Sequence, residues 1–186
     1  MPKSLKYTGD LVFCNCKDLE TVEFGKNTEA IGLKAFENCA NIKNIELPPK
    51  LKIMYDGAFQ GCVGLTEVCL PDTVKMMGGY AFAGCKGMKR IKLSPRLTRL
   101  DRNTFHGCSS LEEVIIPYGL ISIDFSAFSL CASLEKLELP ESVVEIRGFN
   151  RRLKTMHSIS RLKIPEHLYV MYKSDLDDTF EEIETY

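Results

Sequence analysis

Apolar residues in this chain return to the same positions every 23 residues. Phenylalanine marks the period six times, at Phe13, Phe36, Phe59, Phe82, Phe105 and Phe128. A cysteine follows each by three residues: Cys16, Cys39, Cys62, Cys85, Cys108 and Cys131. Between these marks the other apolar columns also align. In the unit 105–127 they are Phe105, Cys108, Leu111, Val114, Ile116, Leu120 and Ile123, closed by the small Ala127. A fixed period of this kind means one supersecondary unit copied and stacked, so the chain reads as a solenoid.

Each unit contains an apolar-x-apolar triplet, such as Ile91-Lys92-Leu93, Val114-Ile115-Ile116 or Leu137-Glu138-Leu139. Alternation of this sort predicts a short strand with every second residue inward. Pro48, Pro71, Pro117, Pro140 and Pro165 follow the triplets and end them, because proline has no N–H to give to a ladder. The Ala-Phe-x-x-Cys stretch on the return side is too short for a long helix and predicts one tight helical turn or an irregular bend. Gly61, Gly84 and Gly107, each just before a ladder cysteine, suit such a bend. Neighbouring strands come from successive units, so the sheet must be parallel and in register. About seven inward side chains per coil would each contribute roughly 1.5–3 kcal/mol before entropy is subtracted.

The unit L-x-x-L-x-L-P-x-x-L-x-x-I-x-x-x-A-F-x-x-C resembles the BspA-like class of leucine-rich repeats. It is plain in LTEVCLPDTVKMMGGYAFAGC (65–85) and LEEVIIPYGLISIDFSAFSLC (111–131), and it runs over roughly residues 2–172. Proline stands where the commoner leucine-rich pattern has Asn or Cys after the strand. The resemblance implies a curved right-handed solenoid of the leucine-rich repeat type. Its concave face would be a parallel β-sheet and its convex face short helical turns or irregular segments. It also implies a bacterial surface or secreted protein that binds other proteins.

The repeat fails at both ends. Pro2 aligns with Pro48, Leu5 with Leu51 and Phe13 with Phe59, so the first unit lacks its strand and no polar capping unit precedes it. The expectation is that a partner, another copy or further sequence covers that end, with self-association as one outcome. At the other end the register slips: Leu134, Leu137 and Leu139 correspond to Ile159, Leu162 and Ile164, a shift of 25. Residues 146–165 form an irregular last coil without a Phe-x-x-Cys element. Ser174 followed by acids reads as a helix start. Leu176, Phe180 and Ile183 then make one helical stripe. The expected organisation is a solenoid over 1–173 and a capping helix over 174–186.

Composition sets outer limits. The 186 residues are 45% hydrophobic and 26% charged, with a net charge of -1. That excludes a global basic field for nucleic acid. No apolar run is long enough to cross a bilayer. Met1 to Phe13 lack a charged start and apolar stretch. The chain is therefore expected in the cytoplasm if complete, and at the cell surface or outside if it is a piece of a longer protein; the resemblance favours the surface. Cysteines stacked in one column have parallel side chains, poor geometry for a disulfide, and free buried thiols are expected there.

No cofactor, metal or catalytic residue is expected. His106, His157 and His167 stand near no obvious nucleophile, and no cysteine pair has zinc spacing. No phosphate-binding glycine loop is present. Partner binding is expected on the outward strand positions. One column is Thr21, Asn44, Glu67, Arg90, Glu113, Lys136 and Arg161; the other is Glu23, Glu46, Cys69, Lys92, Ile115, Glu138 and Lys163. Cys69, Arg90, Lys92, Ile115 and Tyr118 form the candidate patch for a protein partner. A second candidate, for an anion or acidic partner, is Arg147, Arg151 and Arg152, in a basic stretch that faces an acidic stretch later in the chain. Mutual neutralisation of the two stretches is the alternative. The function expected is a non-catalytic binding scaffold, or alternatively an assembly module that stacks end to end or belongs to a longer surface adhesin.

Overall fold

The computed structural model describes residues 1–148, 156 and 158–186. The middle coils bring two short strands each, one on each of two faces, and every strand pairing is parallel. The strands in chain order are β1 Ala30–Ile31, β2 Ile53–Met54, β3 Glu67–Cys69, β4 Met76–Met77, β5 Arg90–Lys92 and β6 Arg99–Leu100. They continue with β7 Glu113–Ile115, β8 Ser122–Asp124, β9 Lys136–Glu138, β10 Glu145–Arg147, β11 Arg161–Ile164 and β12 Glu182–Thr185.

The expected triplet strands form the first face, as the sheets β3-β5-β7 and β9-β11-β12. Pairing of Glu67 with Arg90 and of Arg90 with Glu113 gives the 23-residue register. Pairing of Leu137 with Leu162 gives the 25-residue shift. A second face was not expected from the triplets. It holds the sheets β1-β2-β4 and β6-β8-β10. These strands are two or three residues long, and Ile31, Met54, Met77, Leu100, Ile123 and Ile146 point one buried side chain each into the core.

The return side is a pair of tight bends and not a helix, except for a 3-10 turn at Phe125–Phe128 capped by Asp124. Two rows of residues there have positive φ. Leu11, Lys34, Gly57, Tyr80 and Asn103 make one; Asn15, Asn38, Gly61, Gly84, Gly107 and Leu130 make the other. Gly61, Gly84 and Gly107 sit at φ 73°, 71° and 72°, where glycine lacks the Cβ clash of other residues. The bends hydrogen-bond from coil to coil like strands: the N–H of Phe36 donates to Ala58 O at 2.9 Å and that of Asn38 to Gln60 O at 2.7 Å.

Inside, the six phenylalanine rings form one column with centroids 5.1–6.2 Å apart. Phe36, Phe59, Phe82, Phe105 and Phe128 are fully buried. All eight cysteines are free thiols. Cys62, Cys85, Cys108 and Cys131 each donate Sγ–H to the carbonyl of the phenylalanine one coil back, at 3.1–3.2 Å. Cys16 departs from the expected burial: no coil covers it, and it is exposed.

The C-terminal segment differs from a 174–186 helix. Helix α1 spans Glu166–Asp177, starting directly after Pro165, and residues 182–185 are strand β12 beside β11. Ser174 therefore lies inside α1, two residues past a kink at Tyr172, and does not begin the helix. Leu176 and Phe180 are buried as their spacing implied, but the chain turns between them, and Phe180 packs edge-on against Phe125 at 5.8 Å. Strand pairing takes the place of continued helix: residues 182–185 join the backbone ladder of β11 in register, with Phe180 seated in the core and Glu182 opposite Arg161. Helix α1 lies over the end of the second face, where Tyr172 OH accepts from Ile146 N at 3.3 Å and His167 Nε2 is 3.0 Å from Val143 O.

Candidate partner-binding face

Strands β3, β5 and β7 set three rows side by side, and their middle residues Val68, Ile91 and Val114 point inward. What remains outward is Glu67, Arg90 and Glu113 in one column and Cys69, Lys92 and Ile115 in the next. These are the columns that the alternation predicted. Glu67, Arg90, Cys69, Lys92 and Ile115 line, together with Thr21, Asn44 and Glu46, an open depression of about 660 Å³.

Charge in the depression is uneven. Arg90 Nε is 2.5 Å from Glu113 Oε2, so that cation is already neutralised at the surface. Lys92 has no ion pair among the described residues, and its in-register neighbours are the exposed Cys69 and the 42% exposed Ile115. Glu46 and Glu67 supply negative charge at the other side. The arrangement can accept a partner with a carboxylate for Lys92, an apolar group for Ile115 and a cation for the two glutamates.

Four of the five patch residues expected from sequence, Cys69, Arg90, Lys92 and Ile115, line this depression together. Tyr118 does not; it follows Pro117 outside the strand and stands 76% exposed. Arg147 lies elsewhere, bonded through Nε to Glu145 Oε1 at 2.8 Å, and its guanidinium holds the Glu145 carboxyl below the usual carboxylate range. The 310 Å³ hollow that it lines also holds Arg99 and Arg102, but Asp56, Asp101 and Asp124 match the three cations. Arg151 and Arg152 lie outside the described residues. Among the described residues the basic and acidic stretches meet in the ion pair Arg161–Glu182 at 2.8 Å.

The thiol column carries no chemistry of this kind. Desolvation in the core pushes the thiols of Cys62 and Cys131 up to about 12 and that of Cys85 well above its ordinary value, so they stay neutral. Among the described residues no group of three or more His, Cys, Asp or Glu is placed to hold a metal. No described helix is long and apolar enough to cross a membrane.

The BspA type leucine rich repeat region matches this sequence in six copies, over residues 1–111 and 52–181. The chain belongs to this family. Its members are repeat scaffolds, and the stacked parallel coils are that scaffold. Among solved structures, the T. pallidum leucine rich repeat protein is 34% identical with a TM-score of 0.60, covering 66% of this chain and 58% of its own. A leucine rich cell surface protein from Faecalibacterium prausnitzii A2-165 is similar over 100% of this chain and 58% of its own, at 18% identity and a TM-score of 0.57. The pneumococcal vaccine antigen PcpA matches over 98% of this chain and 40% of its own, at 22% identity and a TM-score of 0.56. The last two likenesses are of fold. This member of the leucine-rich repeat family spans less than two thirds of the length of each of the three. No curated protein matches it.

Proposed function

We propose that the chain is a non-catalytic scaffold that presents the β3-β5-β7 face to a protein partner. The observation that carries this reading is the open depression built from the variable outward columns, with the unpaired Lys92 between Cys69 and Ile115. The residues repeated from coil to coil fill the core, so the outward columns can differ with little effect on the fold. The Faecalibacterium protein of the same fold is described as a cell surface protein, which is in keeping with display at a bacterial surface. End-to-end stacking is the weaker reading: in the register of the other coils it would set Glu184 of β12 against Glu23 of a second copy, like charge against like.

The test is affinity capture of surface and extracellular proteins on immobilised wild-type chain, beside Ile115→Asp and Lys92→Glu. Both substitutions are on exposed positions and should leave the melting temperature unchanged. The expected result is a protein retained by the wild type and lost by both variants. Equal retention by all three chains would remove the face from consideration.

A further inference from the structure

The second face carries a surface that the reading above does not use. Over its first four coils the outward row is Tyr7, Ala30, Ile53 and Met76, paired in register. Tyr7 and Met76 are exposed. Tyr55 reaches across from the third coil and meets Tyr7 edge-on, with ring centroids 6.2 Å apart and planes at 73°. Gly32, in the coil between, permits this: a Cβ there would fall 2.0 Å from the Gly9 carbonyl oxygen, so no side chain separates the rings. The Tyr7 hydroxyl is tied to Asp10, which fixes that ring.

Beside the apolar row runs a charged one, one residue earlier in each coil: Lys6, Glu29, Lys52 and Lys75. Glu29 is matched by Lys52 at 2.7 Å. Lys6 and Lys75 are exposed and have no ion pair among the described residues. Further along the face the charged row becomes Thr98, Ile121 and Val144. There the outward cations are matched, Arg99 by Asp101 and Arg147 by Glu145, each at 2.8 Å. An excess of positive charge, Lys6, Lys52 and Lys75 around the single Glu29, and exposed aromatic surface thus coincide on the first four coils.

We propose that this is a second binding surface, for an extended acidic peptide segment carrying an apolar anchor. Lys6 and Lys75 are three coils apart, about 14 Å at the strand spacing. An extended chain rises about 3.3 Å per residue, so carboxylates four residues apart span that gap. The residue midway between them lies on the same side of the strand. Its side chain meets Ile53 and Tyr55. The recognised pattern is therefore acid, any, apolar, any, acid. A nucleic acid fits less well, because edge-on rings with a tethered hydroxyl offer no parallel faces for a base. An anionic bilayer would press its charge on Asp10 and Glu29 as well as on the lysines, whereas this spacing sets the peptide's carboxylates at Lys6 and Lys75 and its uncharged middle residues opposite Glu29.

The test uses the full chain and a fluorescein-labelled peptide with the core Glu-Ser-Phe-Ser-Glu, read by fluorescence anisotropy. A control peptide of the same composition places its two glutamates side by side. The spaced peptide should bind more tightly than the control and weaken with added salt. Lys6→Glu with Lys75→Glu should weaken it about tenfold. Ile115→Asp, on the first face, should leave it unchanged, which separates this surface from the proposed partner face. Equal binding of the two peptides, no binding, or indifference to the charge reversal would overturn the proposal. So would phosphatidylserine vesicles or an oligothymidylate binding through Lys6 and Lys75 more tightly than the peptide.

Discussion

Truncating two phenylalanines of the one column should cost different amounts, and the difference tests how the solenoid is held together. Phe82 is fully buried between Phe59 at 5.6 Å and Phe105 at 6.2 Å. Its ring has neighbours on both sides, and it is walled by packed coils that cannot close over a void. Phe82→Ala should therefore cost about 3–5 kcal/mol, transfer and cavity terms together. Phe13 stacks on one ring of the column, Phe36 at 5.2 Å, and is only partly buried. It lacks one stacking partner, worth about 0.5–1.5 kcal/mol, and its vacated space opens toward solvent, so little cavity penalty remains. Phe13→Ala should cost about half as much as Phe82→Ala, roughly 1.5–2.5 kcal/mol. Urea unfolding followed by circular dichroism, with the two variants and wild type sharing one m value, gives both numbers. Equal losses for the two variants would mean that the first coil is packed as tightly as the middle ones. A loss below about 1 kcal/mol for Phe82→Ala would mean that the ring column does not carry the core.

The thiol ladder predicts alkaline sensitivity. Burial raises the folded-state values of Cys62 and Cys131 to about 12 from an ordinary 9.0, so their contribution is intact below pH 9 and is lost as pH rises toward 12. Each such thiol should remove about 1.4 kcal/mol per pH unit in that window, and an identical urea midpoint at pH 8 and pH 10 would refute this. In the native state Cys14, Cys16 and Cys69 should react with a maleimide while Cys39, Cys62, Cys85, Cys108 and Cys131 stay protected; rapid labelling of all eight at neutral pH would contradict the buried column. Removing residues 179–186 takes away β12 and Phe180, which is 6% exposed against Phe125. It should cost about 3–5 kcal/mol, read as a lower urea midpoint. Glu182→Lys, which breaks only an exposed ion pair with Arg161, should cost no more than about 1 kcal/mol.

The core and the first face were legible because each repeat position has one environment. Copying the unit places all copies of a column together, so the period alone assigns Phe82 inward and Lys92 outward. The second face was hidden because strands such as Met76–Met77 or Arg99–Leu100 show a single inward residue, and two residues cannot display an alternation. What makes them strands is the neighbouring coil's backbone, which local sequence does not contain. The C-terminal segment misled for a related reason. Leu176 and Phe180 share one face of an imagined helix, and both are buried, yet a helix end followed by a turn buries them as well. The backbone edge of β11 that receives residues 182–185 sits about 20 residues earlier in the chain, beyond any local pattern. Of the candidate patch, Tyr118 separated from the other four because Pro117 ends the strand before it.

Two faces on one stack of coils need not compete for the same residues. Among the described residues Lys92 is the cation of the β3-β5-β7 sheet without an ion pair, the second face has its excess of cations around Lys6 and Lys75, and the rows belong to different sheets. The ladder that joins the coils runs backbone to backbone through the inward phenylalanines and is supplemented by the cysteine Sγ–H groups, so outward side chains can change with little effect on it. Each coil senses only its neighbours. Substitutions on the two faces should then act additively, within about 0.5 kcal/mol, on stability. Ile115→Asp combined with Lys75→Glu provides the measurement, by urea midpoint and by binding of the acidic peptide. Additive midpoints, with peptide binding set by Lys75→Glu alone, are the expected outcome. A coupling energy above about 1 kcal/mol would show that the faces communicate through the core, and would make the solenoid a switch instead of a rigid carrier of two independent surfaces.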